Sequence, residues 1–318
     1  MSYPQLYSGA PSVSSLGFGA PATRVHGAIS EVPRSYARDG MKAALYLAVG
    51  LFWVCAQDAF AQAGWVKRYQ ARIVATQVNQ PHWATPLVTT NARIEQGIRT
   101  DFLRQTGSSG QTSWNYGGGH GLQVIPFPRT ELRISFPPYL THSDPKVRGG
   151  FADVAFRLKL RLYGSNEGQH NAIVSVLLGA SYPSGNGSCC AILTPTLEVG
   201  KGFGSLALTT SLGGVLPVSN TAHLGRSIVL NQAIQYRVTK LIWVETEFNA
   251  TFFHGGTNDG RQQLFVTPGI VVSRIPLIRG TASAPSPLAL TLGVGEQTAL
   301  THFNTYNNAP IFSARIRF

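Results

Sequence analysis

The sequence predicts an all-β fold, a transmembrane antiparallel β-barrel of about 12 strands. Apolar residues alternate with polar or charged ones along successive segments between residues 92 and 318. The chain ends on such a segment, and the breaks between segments form short and long connections that alternate. Outer-membrane barrels share these features, because their strands face lipid on one side and the interior on the other.

The last predicted strand, 309–318, shows the pattern most fully. Its apolar face carries Phe312, Ala314, Ile316 and Phe318, and its polar face carries Ser313, Arg315 and Arg317. A final strand of this kind, closed by an aromatic residue, predicts Phe318 as the C-terminal assembly signal. The expected partner for that signal is the barrel-assembly machinery.

The same alternation marks strands inside the chain. Leucines and Phe156 lie on one face of residues 156–162, and the cations Arg157, Lys159 and Arg161 lie on the other. A helix would scatter these cations around its axis, whereas a strand separates them from the apolar residues. Residues 93–102, 131–136 and 242–250 alternate in the same way.

Breaks rich in Gly, Pro, Asn and Asp divide the chain into twelve predicted strands. They are 92–104, 120–127, 130–140, 150–163, 170–182, 190–200, 203–216, 226–237, 240–253, 262–274, 286–296 and 309–318. The connections after the even-numbered strands are mostly short, with 275–285 as the exception, and the others are longer. An even strand number with short periplasmic turns and long external loops is typical of bacterial outer-membrane barrels.

A soluble β-barrel or sandwich would also alternate, with its apolar face inward. The terminal strand, strand lengths of about 9–11 residues and the export signal described next favour the membrane.

The N-terminal region predicts export. Residues 1–40 lack periodicity, and we expect a disordered or non-native extension. A basic start at Met41-Lys42, an apolar run to Ala56 and the triplet Ala59-Phe60-Ala61 form the pattern of a signal peptide over 41–61. An N-terminal membrane anchor is the alternative, although the run is shorter than the roughly 20 residues that a spanning helix needs. We then expect a periplasmic N-terminal segment at 62–91 and the barrel at 92–318.

Composition limits the partners. Charged residues make up only 13% of the chain, which fits a polar strand face that is mostly uncharged. The formal net charge of +12 suits nucleic acid, anionic lipid or anionic solutes. The basic residues are spread along strands and do not cluster in a short run, so we expect no nucleic-acid partner. Cys189 and Cys190 are adjacent and make neither an ordinary disulfide loop nor a metal site by themselves, so we assign them no role and expect no cofactor.

Residues 149–162 resemble a stretch of a family of bacterial outer-membrane transport barrels named for the meta-pathway of phenol degradation. Members carry a Gly-x-Gly-Asp stretch that leads into an alternating strand with a basic residue, and Gly150-Phe151-Ala152-Asp153 departs from it at Ala152. A second likeness is the tight turn Pro128-Arg129 before a Glu-x-Arg strand. The resemblance spans about residues 86–318. It implies an outer-membrane barrel for uptake of hydrophobic or aromatic compounds and supplies no catalytic residues.

The charged strand faces predict the contents of the lumen. A charge that faces lipid costs about 2–4 kcal/mol at the membrane midplane, so these faces point inward. They would form a selectivity lining, since rings of Arg and Lys favour anions, or pair across the lumen and fill it. The predicted lumen residues are Glu95, Arg99, Glu131, Arg133, Arg157, Lys159, Arg161, Glu245, Glu247, Arg315 and Arg317.

These features predict a protein of the outer membrane of a Gram-negative-type bacterium, in contact with its lipid. We expect a channel or facilitated-uptake protein for small aromatic or anionic solutes; a structural or adhesive barrel without transport is the alternative. An outer-membrane lipase is a third reading, but Ser227 near His223 stands outside any Gly-x-Ser-x-Gly elbow, so no enzyme is expected. No metal site is expected either, because the histidines of the predicted external loops lack H-x-x-x-H spacing. These are His120, His142, His223, His254 and His302.

Overall fold

The computed structural model describes residues 7–8, 18–19, 59–186, 189–278 and 288–318. Most of the predicted extension at 1–40 and residues 41–58 of the predicted signal peptide lie outside these ranges. Tyr7–Ser8 and Phe18–Gly19 pair as two-residue antiparallel strands. The chain divides into two units at residue 76, and the strands described below all belong to the unit that includes Thr76–Phe318.

Helix α1 (Ala59–Val78) runs through the predicted cleavage position and was not predicted. No helix was predicted here because apolar and polar residues do not separate onto opposite faces of this helix. Its alanines and glutamines are good helix formers, and Trp65 stacks on Tyr69 one turn later with ring centroids 5.4 Å apart. Among the described residues, no helix combines the length and apolar character needed to cross a bilayer.

In the described chain, twelve strands form a closed antiparallel barrel, which confirms the predicted fold class. Strand β12 pairs with β1 and closes the ring, with Phe312 opposite Phe102 and Arg315 opposite Arg99. The strands are β1 (Gly97–Thr106), β2 (Thr112–Gly117 and Gly121–Phe127), β3 (Thr130–Ser135 and Tyr139–His142), β4 (Gly150–Phe151 and Val154–Ser165), β5 (Ala172–Tyr182), β6 (Ile192–Phe203), β7 (Leu206–Pro217), β8 (Arg226–Arg237), β9 (Ile242–His254), β10 (Gln262–Pro276), β11 (Ala289–Ala299) and β12 (Asn308–Arg317).

Strand β2 is longer than predicted. The sequence analysis assigned 105–119 to an external loop, but Thr112–Gly117 pairs with β1 and leaves only 107–111 as the turn. The glycines that follow caused the error, because Gly118 and Gly119 adopt positive φ angles of 61° and 69° and interrupt the strand without ending it.

Strands β2, β3 and β4 are interrupted side by side. Pro137 and Pro138 break β3, and residues 152–153 break β4. Single hydrogen bonds connect the breaks: the Phe136 N–H donates to the His120 carbonyl at 2.9 Å, and the Ala152 N–H donates to the Pro138 carbonyl at 2.8 Å. At this level of the barrel, neighbouring strands are therefore joined by fewer hydrogen bonds.

The outer surface of the barrel is apolar and ends in two aromatic belts. Outward side chains in the middle of the strands include Leu158, Leu160, Leu178, Leu197, Leu212, Leu230 and Val294, all exposed. Exposed aromatic residues lie at the end nearest the chain terminus (Phe127, Tyr163, Phe203, Tyr236 and Phe318) and at the opposite end (Trp114, Tyr116, Tyr139, Phe151, Tyr182 and Phe252). An apolar band between two aromatic girdles around a polar interior is the surface of an outer-membrane barrel. The protein accordingly lies in the bacterial outer membrane, as predicted.

The end of the barrel with the shorter turns is called the periplasmic end, because outer-membrane barrels have short periplasmic turns. Its connections are 128–129, 166–171, 204–205, 238–241 and 277–288. Those of the opposite end, called the external end, are 107–111, 143–149, 183–191, 218–225, 255–261 and 300–307. Apart from the exception already predicted near 277–288, the alternation of short and long connections fails only at 107–111, which is shorter than 166–171. The external loops hold a short helix α2 (Thr221–Leu224) and a 3₁₀ turn (Gly256–Asn258). Strand β1 begins at Gly97 and not at residue 92, because residues 92–96 belong to a segment inside the barrel.

Candidate functional site

Residues 80–96, called the inner segment from here on, lie in the lumen. All of them except His82 are buried, although none is in a helix or strand. The side chain of Gln80 donates to the carbonyl of Ile94 at 2.8 Å and accepts from its N–H at 3.0 Å. The segment therefore enters the barrel and returns to the place where it entered. The sequence analysis had placed residues 62–91 ahead of the barrel and 92–96 in its first strand.

Glycines of the wall make room for the inner segment. Leu87 lies against Gly269, Gly293 and Gly295, and a Cβ atom at Gly295 would stand 2.6 Å from its Cδ1. A Cβ atom at Gly200 would stand 2.6 Å from Cζ3 of the Trp83 ring. Real Cβ atoms do not approach this closely, so a larger residue at either wall position would require Leu87 or Trp83 to move. Trp83 and Leu87 belong to an apolar cluster that includes Ile173, Ala207, Trp243, Val271 and Ile311 of the wall.

Two buried glutamates of β9 bind the backbone of the inner segment. The Leu87 N–H donates to Glu245 Oε1 at 3.0 Å, and the Val88 N–H donates to Glu247 Oε1 at 2.9 Å. The Thr89 N–H donates to the second oxygen of Glu247. A buried chain without regular structure has unpaired N–H groups, and these carboxylates satisfy three of them.

Cations of the wall bind the carbonyl groups of the same segment. Lys159 donates to the carbonyl of Asn91 and, at 3.2 Å, to that of Arg93. Arg315 donates to the carbonyls of Thr85 and Pro86, and Arg99 donates to those of Pro86 and Leu87. The inner segment is thus held by complementary groups: acids take its N–H groups and cations take its carbonyls.

The predicted lumen residues all face the interior, and only Arg317 among them is half exposed. Several form ion pairs within the barrel. Those pairs are Arg99–Asp101 at 2.7 Å, Arg93–Glu95 at 2.6 Å, Arg133–Glu131 at 3.2 Å and Lys159–Glu198 at 3.3 Å. Arg161 donates instead to the Thr76 carbonyl at 2.7 Å and to Gln80. Whether these groups select solutes stays a prediction, as does the role of Phe318 in assembly.

The sequence analysis missed several interior partners. Glu198 and Asp101 stand on the inward positions of alternating strands, so strict counting of the alternation would have found them. Arg93 was read as part of a strand face, and it belongs to the inner segment. Arg274 of β10 escapes any period, because a bulge between Val272 and Ile275 shifts the register at that point.

A chain of polar side chains crosses the interior towards the external end. Asn231 donates to Ser211 at 3.1 Å, Asn249 donates to Asn231 at 2.9 Å, and Gln297 donates to Asn249 at 3.0 Å. Tyr306 then donates to Gln297, which holds the external loop 300–307 against the interior. Uncharged amides hence line this part, in contrast to the charged surroundings of the inner segment.

The histidines and cysteines form no obvious chemical site. His120 was predicted at the start of the second strand, beside an external loop, and it lies buried in the break of β2 with Nε2 3.1 Å from Asp101 Oδ2. No cluster of metal-binding residues occurs among the described residues, and no hydrogen bond joins Ser227 to His223 within them. The sulfur atoms of Cys189 and Cys190 are 2.9 Å apart in an external loop, where burial raises the pKa of the Cys190 thiol and Cys189 adds to the shift.

A polar contact fixes the entrance of the inner segment at the periplasmic end. His82 Nδ1 lies 2.9 Å from Glu167 Oε2 in the turn after β4, and the His82 N–H donates to the other oxygen. Burial by itself would raise the pKa of Glu167, but the hydrogen bonds from His82 outweigh it and lower that pKa to about 2.

Comparison with known proteins gives only distant likenesses. No family model and no curated protein matches the chain. The NanC porin is 7% identical with a TM-score of 0.45, covering 70% of this chain and 98% of the porin. An outer membrane channel from Pseudomonas putida F1 is 13% identical with a TM-score of 0.49, covering 70% of this chain and 95% of the channel. OmpT of Vibrio cholerae is 12% identical with a TM-score of 0.30, covering 70% and 96%.

Proposed function

We propose that the protein is an outer-membrane channel for small solutes, closed by its inner segment and opened when that segment leaves the lumen. The main observation behind the proposal is that glycines of the wall make room for Leu87 and Trp83. A barrel that is only structural can fill its lumen with side chains from its own strands, as barrels of about eight strands do. Here the wall leaves space that a separate piece of chain occupies.

The way the inner segment is bound supports a removable closure. Glu245 and Glu247 accept hydrogen bonds from its backbone N–H groups, and Lys159, Arg99 and Arg315 donate to its carbonyl groups. Water can replace each of these when the segment leaves, so that each bond, which has a charged partner, contributes only about 1.5–3 kcal/mol net. The charged groups would then line the open passage.

The solute class follows from what would line that passage. Cations exceed carboxylates among the predicted lumen residues, which favours anionic solutes. The resemblance to the phenol meta-pathway family suggests aromatic compounds. Benzoate, a small aromatic carboxylate, combines both properties and is the first solute to test.

The test compares two glycine substitutions in purified protein reconstituted into liposomes and planar bilayers. Gly293→Leu places a side chain where Leu87 lies, since a Cβ atom there would stand 2.5 Å from Leu87 Cδ2 and no closer than 3.4 Å to atoms of the wall. It should expel the inner segment and raise single-channel conductance and the rate of swelling in benzoate. Gly214→Leu is the matched control: a Cβ atom there meets only ordinary contacts at 3.7 Å or more. If Gly293→Leu, shown to be folded by heat-modifiable migration on a gel, conducts no better than Gly214→Leu, the inner segment is not the closure.

A structural barrel without transport is the second candidate, and the filled lumen favours it. Absence of permeation by any small organic acid or aromatic compound in both the wild type and Gly293→Leu would support this candidate over the channel.

A further inference from the structure

A small cavity lies at the periplasmic end, between the inner segment and strands β1, β10, β11 and β12. Its volume is about 10 Å³, enough for one water-sized atom. Four arginines and one glutamate line it together with hydroxyl groups of Thr85, Ser273 and Thr291. The charged lining residues are Arg93, Glu95, Arg99, Arg315 and Arg317.

The positive charges around this cavity are only partly compensated. Arg93 pairs with Glu95, which also lines the cavity, and Arg99 pairs with Asp101, which does not line it. Within the described residues, Arg315 and Arg317 have no carboxylate within 4 Å. The Nε atoms of both are buried and have no hydrogen-bond acceptor there, and Arg315 is only 5% exposed.

A further arginine, Arg274, does not line the cavity but is next in sequence to Ser273, which does. Arg274 lies in the bulge of β10 with a positive φ of 61°, and its N–H donates to Thr291 Oγ1 at 3.1 Å. Bulges turn a side chain away from the regular alternation of the strand. Both Nε and Nη2 of Arg274 are buried and without an acceptor in the described chain, and the charges of Arg317 and Arg93 act on it.

We propose that Arg274, Arg315 and Arg317 form a binding site for a small oxyanion, a carboxylate or a phosphate, at the periplasmic mouth of the barrel. Arg315 donates to the carbonyls of Thr85 and Pro86, and Arg317 donates to Gln77. Each of the three arginines nevertheless keeps a buried N–H group without an acceptor in the described chain, which is costly. Carboxylate and phosphate oxygens accept from such groups. One oxygen fits the cavity, while the rest of the ligand projects past the half-exposed Arg317 towards the periplasm. The site requires no transport, so it stands apart from the proposed channel function.

Two sources supply this chemistry at that position. A free periplasmic phosphate or carboxylate is one, and the phosphate of a phospholipid head group in the inner leaflet is the other. Both present the same oxygens to the guanidinium groups, so the experiment must separate them by ligand.

The test is calorimetric titration of the full chain, folded in a non-ionic detergent, at fixed ionic strength. The probes are sodium phosphate, sodium acetate and a short-chain phosphatidylglycerol, with sodium chloride as the reference. We expect saturable binding of at least one oxyanion, weakened about tenfold or more in Arg317→Gln and in Arg274→Gln. Arg226→Gln, an exposed arginine at the external end of β8, is the matched control and should bind as the wild type does.

Binding of phosphate or acetate identifies a free anion, and binding of phosphatidylglycerol alone identifies the head group; both support the site. Arg317→Lys, which keeps the charge and loses the fork, should also weaken binding. The proposal is overturned if no probe binds saturably, or if folded Arg317→Gln and Arg274→Gln bind as tightly as Arg226→Gln.

Discussion

Replacing Leu87 by alanine measures how firmly the inner segment is held. Leu87 is 2% exposed and lies on three glycines of β10 and β11. Leucine to alanine in a packed interior costs about 2–5 kcal/mol, and the cost rises when the surroundings cannot close the cavity. Glycines of a hydrogen-bonded sheet have no side chains to move into the gap, so we expect about 4 kcal/mol.

This cost lowers only the stability of the docked segment, because Leu87 no longer contacts the glycines once the segment is undocked. At 1.4 kcal/mol for each tenfold change, about 4 kcal/mol raises the undocked fraction several-hundredfold. Hydrogen–deuterium exchange of the peptide spanning 84–92 reads this directly, since the Leu87 and Val88 N–H groups are bound only when docked. Exchange there should accelerate by that factor while peptides of β9 keep their protection.

The control is Leu160→Ala, which shortens an exposed, lipid-facing leucine of β4. It should leave exchange in 84–92 unchanged. The reasoning fails if Leu87→Ala leaves that exchange unchanged, or if it loosens the strands to the same extent as the segment.

Three further results are expected. Glu247→Gln weakens the acceptor of the Val88 and Thr89 N–H groups, so open-channel probability in bilayers should rise about tenfold or more, and Glu296→Gln, on an exposed position of β11, should have no effect. Glu167 has a folded pKa of about 2 against an ordinary 4.5, so its stabilisation is complete above pH 4.5 and is lost as the pH falls through 2. Glu167→Gln should thus lower the free energy of unfolding by less than about 1 kcal/mol at pH 6, because the pair with His82 is over a third exposed, and by a smaller amount at pH 2. Glutamine at all three cations of β4 should reduce anion preference if they line an open pore, whereas unchanged selectivity means that they only fill the lumen. These cations are Arg157, Lys159 and Arg161.

Alternation carried the prediction of the barrel because the side-chain period of a strand is fixed at two residues. It gave strands such as β8 and β9 nearly to the residue and placed Arg157 and Glu245 inward. It failed where backbone geometry departs from that period, as at the glycines 117–119 and the bulge before Ile275.

The inner segment could not be predicted from alternation, for a different physical reason. It has no repeating backbone geometry, and its position depends on residues far along the chain, such as Glu247 for Val88. Arg93 and Glu95 alternate with Ile94 just as strand residues do, so the pattern alone could not separate them from β1. The glycines that receive Leu87 and Trp83 are visible in the sequence, but only the closed barrel shows what they face.

The contact between Gln80 and Ile94 has a topological consequence. Because both ends of the inner segment meet at one mouth, the segment is a loop laid into the barrel and is not threaded through it. The seam between β1 and β12 can therefore close first, and the loop can enter afterwards from the periplasm. By the same path it can be withdrawn and replaced repeatedly while every interstrand hydrogen bond of the wall stays intact.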